Sequence, residues 1–259
     1  MIKVYYASIR EGTEEDWEKL RSSLPFPERL ERADRFRFED DKRRCILAGA
    51  LLKTALFNEG IRDPEIEKGP QGKPYLKSYT RVSPSDSTQK SPKNGPDCDP
   101  QIQFSLSHSG DLSVCAIGTA PVGVDVELIK PTGLSVAKRF FTEKEFDHIS
   151  QSLEKEAELL RIWTLKESYL KMTGEGLKHP LDSFEIIPKN PGHPEYQNHP
   201  GSPGHPEYQN HPEYLVSSEL KKLKIREFAL PRHHISVCSQ EEIEPDLIRL
   251  FMDDLLITP

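Results

Sequence analysis

Two acids two residues apart, Asp125 and Glu127 in "GVDVE", and a third four residues before a lysine, Glu167 and Lys171 in "WTLKESYLK", are the side chains of this 259-residue chain best suited to chemistry. On a strand, alternate residues share a face. Val124 and Val126 would then turn to a core, while Asp125 and Glu127 point together the other way. Their separation would be about 7 Å, and at an effective dielectric of about 20 the charges repel by about 2 kcal/mol. A cation between them removes that cost, and hard oxygen ligands suit magnesium. Two solvated acids on an exposed strand face are the plain alternative. On a helix, Trp163, Glu167, Leu170 and Lys171 take neighbouring positions. Trp163 and Leu170 can anchor it, and Glu167 and Lys171 then point the same way. A third carboxylate with an adjacent cation is what a magnesium–pyrophosphate centre needs. The acid holds metal or accepts a proton, and the lysine neutralises charge on a leaving phosphate. The alternative is a surface pair at i,i+4 worth a few tenths of a kcal/mol.

Three further clusters carry polar chemistry. In "FSLSHSG", Phe104 and Leu106 alternate with Ser105 and Ser107 as on a half-buried strand, and Ser107, His108 and Ser109 gather at its end, where loops carry function. A hydrolase would need a GxSxG elbow, which the chain lacks; a polar hairpin turn reads as well. From Arg29 to Arg44 the chain holds Arg29, Arg32, Arg35, Arg37, Lys42, Arg43 and Arg44, interleaved with Glu31, Asp34, Glu39, Asp40 and Asp41. That pattern fits a salt-bridged face or a local basic patch. Lys73, in the Gly/Pro turn of "GPQGKPYL", is a phosphate contact or a solvated loop charge.

The elements that must position these groups follow from periodicity. Strands are expected at 2–8, 102–107, 112–118 and 122–128, the second and third joined at "HSGD" into a hairpin. Helices are expected at 13–22, with Thr13 as N-cap, and at 39–58, where Ile46, Leu47, Ala50, Leu51, Ala55 and Leu56 form a stripe and Gly60 follows. Further helices fall at 143–151 and 155–173, short strands near 184–187, 224–229 and 234–238, and a closing helix at 245–256. Residues 78–100, rich in Ser, Pro, Asp and Lys, read as a mobile loop. Residues 191–214 contain "PGHPEYQNHP" twice, at 191–200 and 203–212. The unit is too short and proline-rich for a structural repeat. Its His193, His199, His205 and His211 recur at a spacing of six, which allows a metal-binding tract, but a disordered insertion is the default reading. Strand, long helix and strands recur in both halves, so the expected architecture is α+β with two similar lobes joined near Pro121: 1–121 and 122–259.

Composition narrows the class. Hydrophobic residues are 35% and charged residues 30%, with a net charge of −7. That balance argues against general nucleic-acid binding, which favours a basic domain. No apolar run reaches membrane-spanning length and no signal-peptide pattern opens the chain. The four cysteines, Cys45, Cys98, Cys115 and Cys238, are dispersed without a CxxC pair, which fits a reducing, cytoplasmic setting rather than a zinc site or disulfide framework.

Taken in order, these blocks resemble a known family. GVDVE followed by WTLKESYLK is similar to the GxDxE and WxxKExxxK signatures of the 4'-phosphopantetheinyl transferases. GKP at 72–74, SHSG at 107–110, RFF at 139–141 with Glu145, and "GEGLKHPLDSF" at 174–184 resemble the Sfp-type branch. The resemblance spans about residues 1–187, and the final strands more loosely. It implies a pseudo-dimer fold, each lobe a small antiparallel sheet on a long helix, with the site between lobes. It implies transfer of the phosphopantetheine arm of coenzyme A to a serine of an apo acyl or peptidyl carrier protein, leaving adenosine 3',5'-bisphosphate. Asp125, Glu127 and Glu167 then match the magnesium-binding acids, with Glu167 alternatively the base on the carrier serine. Lys171 matches the lysine beside the pyrophosphate, and Asp125, Glu167 and Lys171 form the catalytic set. Lys73, Ser107 and His108 match coenzyme A contacts, and Arg29, Arg32 and Arg44 fall where the branch is basic near the 3'-phosphate or adenine. The resemblance further implies a monomer with no nucleic-acid or membrane partner. Another magnesium-dependent pyrophosphate-cleaving enzyme, or a non-catalytic carrier-binding module, are the rival readings.

Overall fold

A computed structural model describes residues 1–83, 86–90, 101–176, 179–188, 214–217, 220 and 222–258. The chain opens with strand β1 (Ile2–Ser8), followed by helices α1 (Glu14–Ser22), α2 (Pro27–Asp34) and α3 (Glu39–Asn58). Thr13 caps α1 in a reciprocal box with Asp16. Strands β2 (Ile61–Lys68), β3 (Pro74–Ser83) and β4 (Asp86–Lys90) form a separate three-stranded sheet. Then come β5 (Gln103–Ser109), β6 (Leu112–Gly118) and β7 (Val122–Leu128). Helices α4 (Ser135–Phe140), α5 (Glu143–Gln151) and α6 (Lys155–Thr173) follow. The chain finishes with β8 (Ile186–Pro188), β9 (Tyr214–Val216), β10 (Lys224–Leu230), β11 (His233–Ser239), β12 (Ile243–Arg249) and helix α7 (Met252–Ile257).

Two sheets carry the architecture. One has the order β12-β1-β6-β5 and the other β10-β11-β7. Helix α3 packs on the outer face of the first through Leu47, Ala50, Leu51 and Leu52, against Tyr5, Phe104, Cys115 and Ile117. Helix α6 packs on the outer face of the second, against β7 and β11. The inner faces meet in a third core: Ile2, Val4, Val114 and Ala116 from one sheet, Val122, Val124, Val126, Ile235 and Val237 from the other. The result is a mixed α+β molecule layered helix, sheet, sheet, helix. Val124 and Val126 face this core as their alternation requires, which sends Asp125 and Glu127 to the α6 side.

Several expectations change. The closing helix at 245–256 is a strand, β12, and then the short helix α7. β12 runs parallel to β1, with Leu247 opposite Val4, and Leu250, Met252 and Leu255 complete the first core. The chain's last strand and helix therefore build the first sheet and core, although the expected join at 121–122 assigns them to the second lobe. Pro245 is tolerated because β12 is an edge strand. The loop expected at 78–100 begins instead as strands β3 and β4, which pair as a hairpin. Its remainder at 91–100, the tandem repeat with its four histidines, and Cys98 lie outside the described residues. β2, α2 and α4 carried no sequence expectation. No helix among the described residues is long and apolar enough to cross a membrane.

Candidate active site

Strand β7 and helix α6 are the frame of the site, and Gly123 sets their spacing. A Cβ at Gly123 would lie 1.9 Å from the Ser168 carbonyl oxygen and 2.4 Å from the Met172 nitrogen. Only glycine lets the two backbones approach this closely. Helix α6 is buried on nearly every side, leaving Trp163, Glu167 and Lys171 on its more open face. Several polar anchors fix it, three of them through its buried side chains Arg161, Thr164 and Lys166. Arg161 grips Glu227 of β10 with two hydrogen bonds, at 2.8 and 2.9 Å. Thr164 Oγ1 lies 2.9 Å from Ser236 Oγ of β11. Lys166, wholly enclosed, pairs with Glu145 at 2.7 Å and donates to the carbonyls of Leu181 and Phe184. That explains the first lysine of WTLKESYLK, which belongs to the second core and not to the site.

With the frame set, Lys171 Nζ reaches across to Asp125 Oδ1 at 2.6 Å and to Ser107 Oγ at 2.9 Å. Ser107 Oγ donates to Asp125 Oδ1 at 2.8 Å and accepts from the Val126 N–H at 3.3 Å. Its one donor and two acceptor sites are thereby all engaged within the protein. Ser109 Oγ donates to Glu127 Oε2 at 2.8 Å. Burial raises the carboxyl pKa of both Glu127 and Glu167, and the neighbouring Asp125 charge raises them further. Asp125 Oδ2 and Glu167 Oε1 are buried with no hydrogen-bond partner among the described residues. Buried oxygens without a partner are costly, and hard anionic oxygens are what a magnesium ion takes, so the donor set fits one. Among the described residues no three such groups already stand close enough to form a metal cage; the Lys171 ammonium lies against Asp125.

His108, next along β5, is pushed down to about 4 by burial, then by the charges of Arg32, Arg44, Lys171 and Arg29. It is neutral at physiological pH and sits among cations, a setting that suits a phosphorylated ligand. Arg44 is held by Asp41 and by the Gly110 carbonyl. Arg29 is half-buried beside α3 and donates to the Cys45 carbonyl at 3.3 Å. Arg32 is exposed, with its guanidinium 5.9 Å from the Phe36 ring. Lys73 occupies a different place from the acids. Its ammonium donates to the Met172 carbonyl at 2.9 Å and the Val122 carbonyl at 3.3 Å, capping the C-terminal end of α6 where Gly174 turns left-handed at φ 79°. Burial lowers its pKa to about 8.

The structure thus brings Asp125, Glu127, Glu167, Lys171, Ser107 and His108 together, with Arg29, Arg32 and Arg44 near enough to depress His108. Sequence reasoning passed over Gly123 as a spacer, Lys166 with Glu145 as the helix anchor, and Ser109 as the partner of Glu127. The alternation of Ser105, Ser107 and Ser109 was the one signal for the last.

Residues 121–238, which hold β7, α6 and their acids, match the model of the 4'-phosphopantetheinyl transferase superfamily. A 4'-phosphopantetheinyl transferase of Bacillus subtilis is 32% identical over 171 residues, covering 64% of this chain and 67% of the relative. The 4'-phosphopantetheinyl transferase Sfp of Bacillus subtilis (strain 168) is 31% identical over 191 residues, covering 71% and 76%. The 4'-phosphopantetheinyl transferase psf-1 of Bacillus pumilus is 35% identical over 172 residues, covering 64% and 65%.

The chain belongs to the 4'-phosphopantetheinyl transferase superfamily.

In this phosphopantetheinyl transferase the acids and the lysine converge along β7 and α6, and the match runs through both signature blocks. This favours a transferase over a pyrophosphate-cleaving hydrolase or a non-catalytic carrier-binding module.

Proposed function

We propose that this transferase moves the phosphopantetheine arm of coenzyme A to a serine of an apo acyl or peptidyl carrier protein, releasing adenosine 3',5'-bisphosphate. The observation that carries the reading is the meeting of Lys171 with Asp125 beside unpartnered oxygens of Asp125 and Glu167. Pyrophosphate cleavage calls for charge neutralisation and positioning, with no covalent help from the protein. Asp125, Glu127 and Glu167 would hold magnesium, which when bound neutralises charge on the diphosphate. Lys171 moves from Asp125 to the leaving phosphate as ligand enters. The carrier serine oxygen bonds to the phosphorus that carries pantetheine, and the bond from that phosphorus to the bridging oxygen breaks. The electron pair leaves on the adenosine bisphosphate. Where Asp125 and Glu127 hold the metal without Glu167, the Glu167 carboxylate instead takes the serine proton. His108, Arg29, Arg32 and Arg44 bind the 3'-phosphate end, and Lys73 keeps the end of α6 in place near the ligand.

The two sheet-and-helix halves read as the similar lobes of a pseudo-dimer, each with an antiparallel pair or more against one long helix. One chain supplies every proposed site residue, which supports a monomer. The buried free thiols of Cys45, Cys115 and Cys238 are in keeping with a reducing cytoplasm. The test is intact-mass measurement of an apo-carrier incubated with coenzyme A and magnesium. A gain of one phosphopantetheine is expected, and Asp125→Ala should abolish it. Release of adenosine bisphosphate with an unmodified carrier would overturn the reading.

A further inference from the structure

Among the described residues β7 is an edge strand: it pairs with β11 on one side and with no strand on the other. An open edge leaves every second N–H unpaired, and buried N–H groups need partners. Here those groups belong to Val124, Val126 and Leu128, and each has one. Val124 N–H donates to Ser105 Oγ at 3.1 Å, Val126 N–H to Ser107 Oγ at 3.3 Å, and Leu128 N–H to Ser109 Oγ at 3.1 Å. The three serines are alternate residues of β5, itself the edge of the other sheet. Two of the hydroxyls turn onward to the acids, Ser107 to Asp125 and Ser109 to Glu127, both at 2.8 Å.

We propose that Ser105, Ser107 and Ser109 form a hydroxyl ladder standing in for a missing strand along β7, and that through it Ser109 is a positioning residue for Glu127. Each rung does one thing in common, which is to satisfy a β7 N–H and lock its register against β5. The rungs differ in what else they hold. Ser105 touches neither acid, Ser107 holds Asp125 and Lys171, and Ser109 holds Glu127. An Oγ that accepts from the Leu128 N–H has its hydroxyl hydrogen free to face the neighbouring carboxylate, so one side chain fixes both backbone and acid. The serines come from the first sheet and the acids from the second, so the ladder also ties the acids' placement to the packing of the two sheets. The role of Ser109 in metal binding rests on the transferase reading; the ladder itself does not.

The experiment compares full-length wild type with Ser105→Ala, Ser109→Ala and Ser109→Thr. Amide exchange is read by NMR, and magnesium chloride is titrated calorimetrically into the coenzyme A-bound protein. Ser109→Ala should speed exchange at Leu128 and leave Val124 protected. It should weaken magnesium affinity by about ten- to a hundred-fold, the usual effect of losing a group that orients a ligand. Ser105→Ala should speed exchange at Val124 and leave magnesium affinity near wild type. Ser109→Thr keeps the hydroxyl and should restore both. Unchanged exchange at Leu128 in Ser109→Ala would overturn the ladder. An equal loss of magnesium affinity in Ser105→Ala would overturn the positioning role, since general loosening of β7 would then account for it. Carrier modification by wild type is scored in parallel. A wild type that modifies carrier while Ser109→Ala matches it in exchange and metal binding sinks the ladder alone. A wild type that leaves carrier unmodified but shows the expected variant pattern sinks the transferase reading alone.

Discussion

Lys166 and Lys171 lie five residues apart on α6 and do different work. Lys166 is sealed in the second core against Glu145, with both side chains fully buried. Removing one partner strands the other charge, so Lys166→Ala should cost about 3–5 kcal/mol in stability by urea titration. Lys171 is about 30% exposed and meets the buried Asp125. Lys171→Ala leaves Asp125 with Ser107 as a partner, so it should lower stability less than Lys166→Ala does, and cost about 2–4 kcal/mol in transition-state stabilisation, read as kcat for carrier modification. Near-normal kcat would remove Lys171 from the site. His108 adds a pH dependence. Its folded pKa, about 4, is below its ordinary value of 6.5. Between those values the unfolded chain binds a proton that the folded chain refuses, so stability falls as pH drops from 6.5 toward 4. Above 6.5 the group contributes no slope. Denaturant titrations of His108→Asn should therefore lose less stability across that window than wild type. An identical pH profile would contradict the buried, cation-ringed placement of the ring.

At the scale of elements, the site is a property of the distance between β7 and α6. Gly123 permits that distance, and the Lys73 ammonium holds the end of α6 through the Met172 carbonyl. Gly123→Ala drives a methyl group into backbone rather than a yielding side chain. It should destabilise the protein by about 3 kcal/mol, at the upper end for overpacking, and pull Lys171 from Asp125. Carrier modification should fall more than stability alone accounts for, measured at a temperature where the variant remains folded. Full activity in Gly123→Ala would show that the close approach is not needed.

At the scale of the molecule, the chain's end completes its beginning. β12 lies parallel beside β1, and Leu250, Met252 and Leu255 fill the core under α3. A chain ending at Glu242 would uncover that core and the β1 edge. It should lose cooperative unfolding of the first sheet, seen as rapid amide exchange in β1 and β6. Carrier modification should go with it, because β5, the serine-bearing edge, belongs to that sheet. Retained protection in β1 would mean that the terminal strand is dispensable.

Local pattern was enough to place β1, α3, β6, β7, α5 and α6, because each carries its own apolar run or stripe. It was also enough to mark Asp125, Glu127, Glu167 and Lys171, since repulsion between acids on one strand face needs an explanation whatever the fold. Pattern failed where a partner distant in sequence decides the state. Leu247, Ile248 and Leu250 follow Pro245 at spacings a helix would accept, and pairing with β1 makes Leu247 and Ile248 part of a strand. β2 and β3 bury only Ile61 and Leu76 fully, with Ile66 and Tyr79 partly covered, so their apolar alternation is too sparse to reveal them. Glycine at 123 is visible in the sequence, but the helix backbone that forbids a side chain there is not. Nor does the sequence say which lysine of WTLKESYLK is buried, or that serines of one sheet satisfy the edge of the other. Those are contacts between segments far apart in the chain, and only the packing of two sheets creates them.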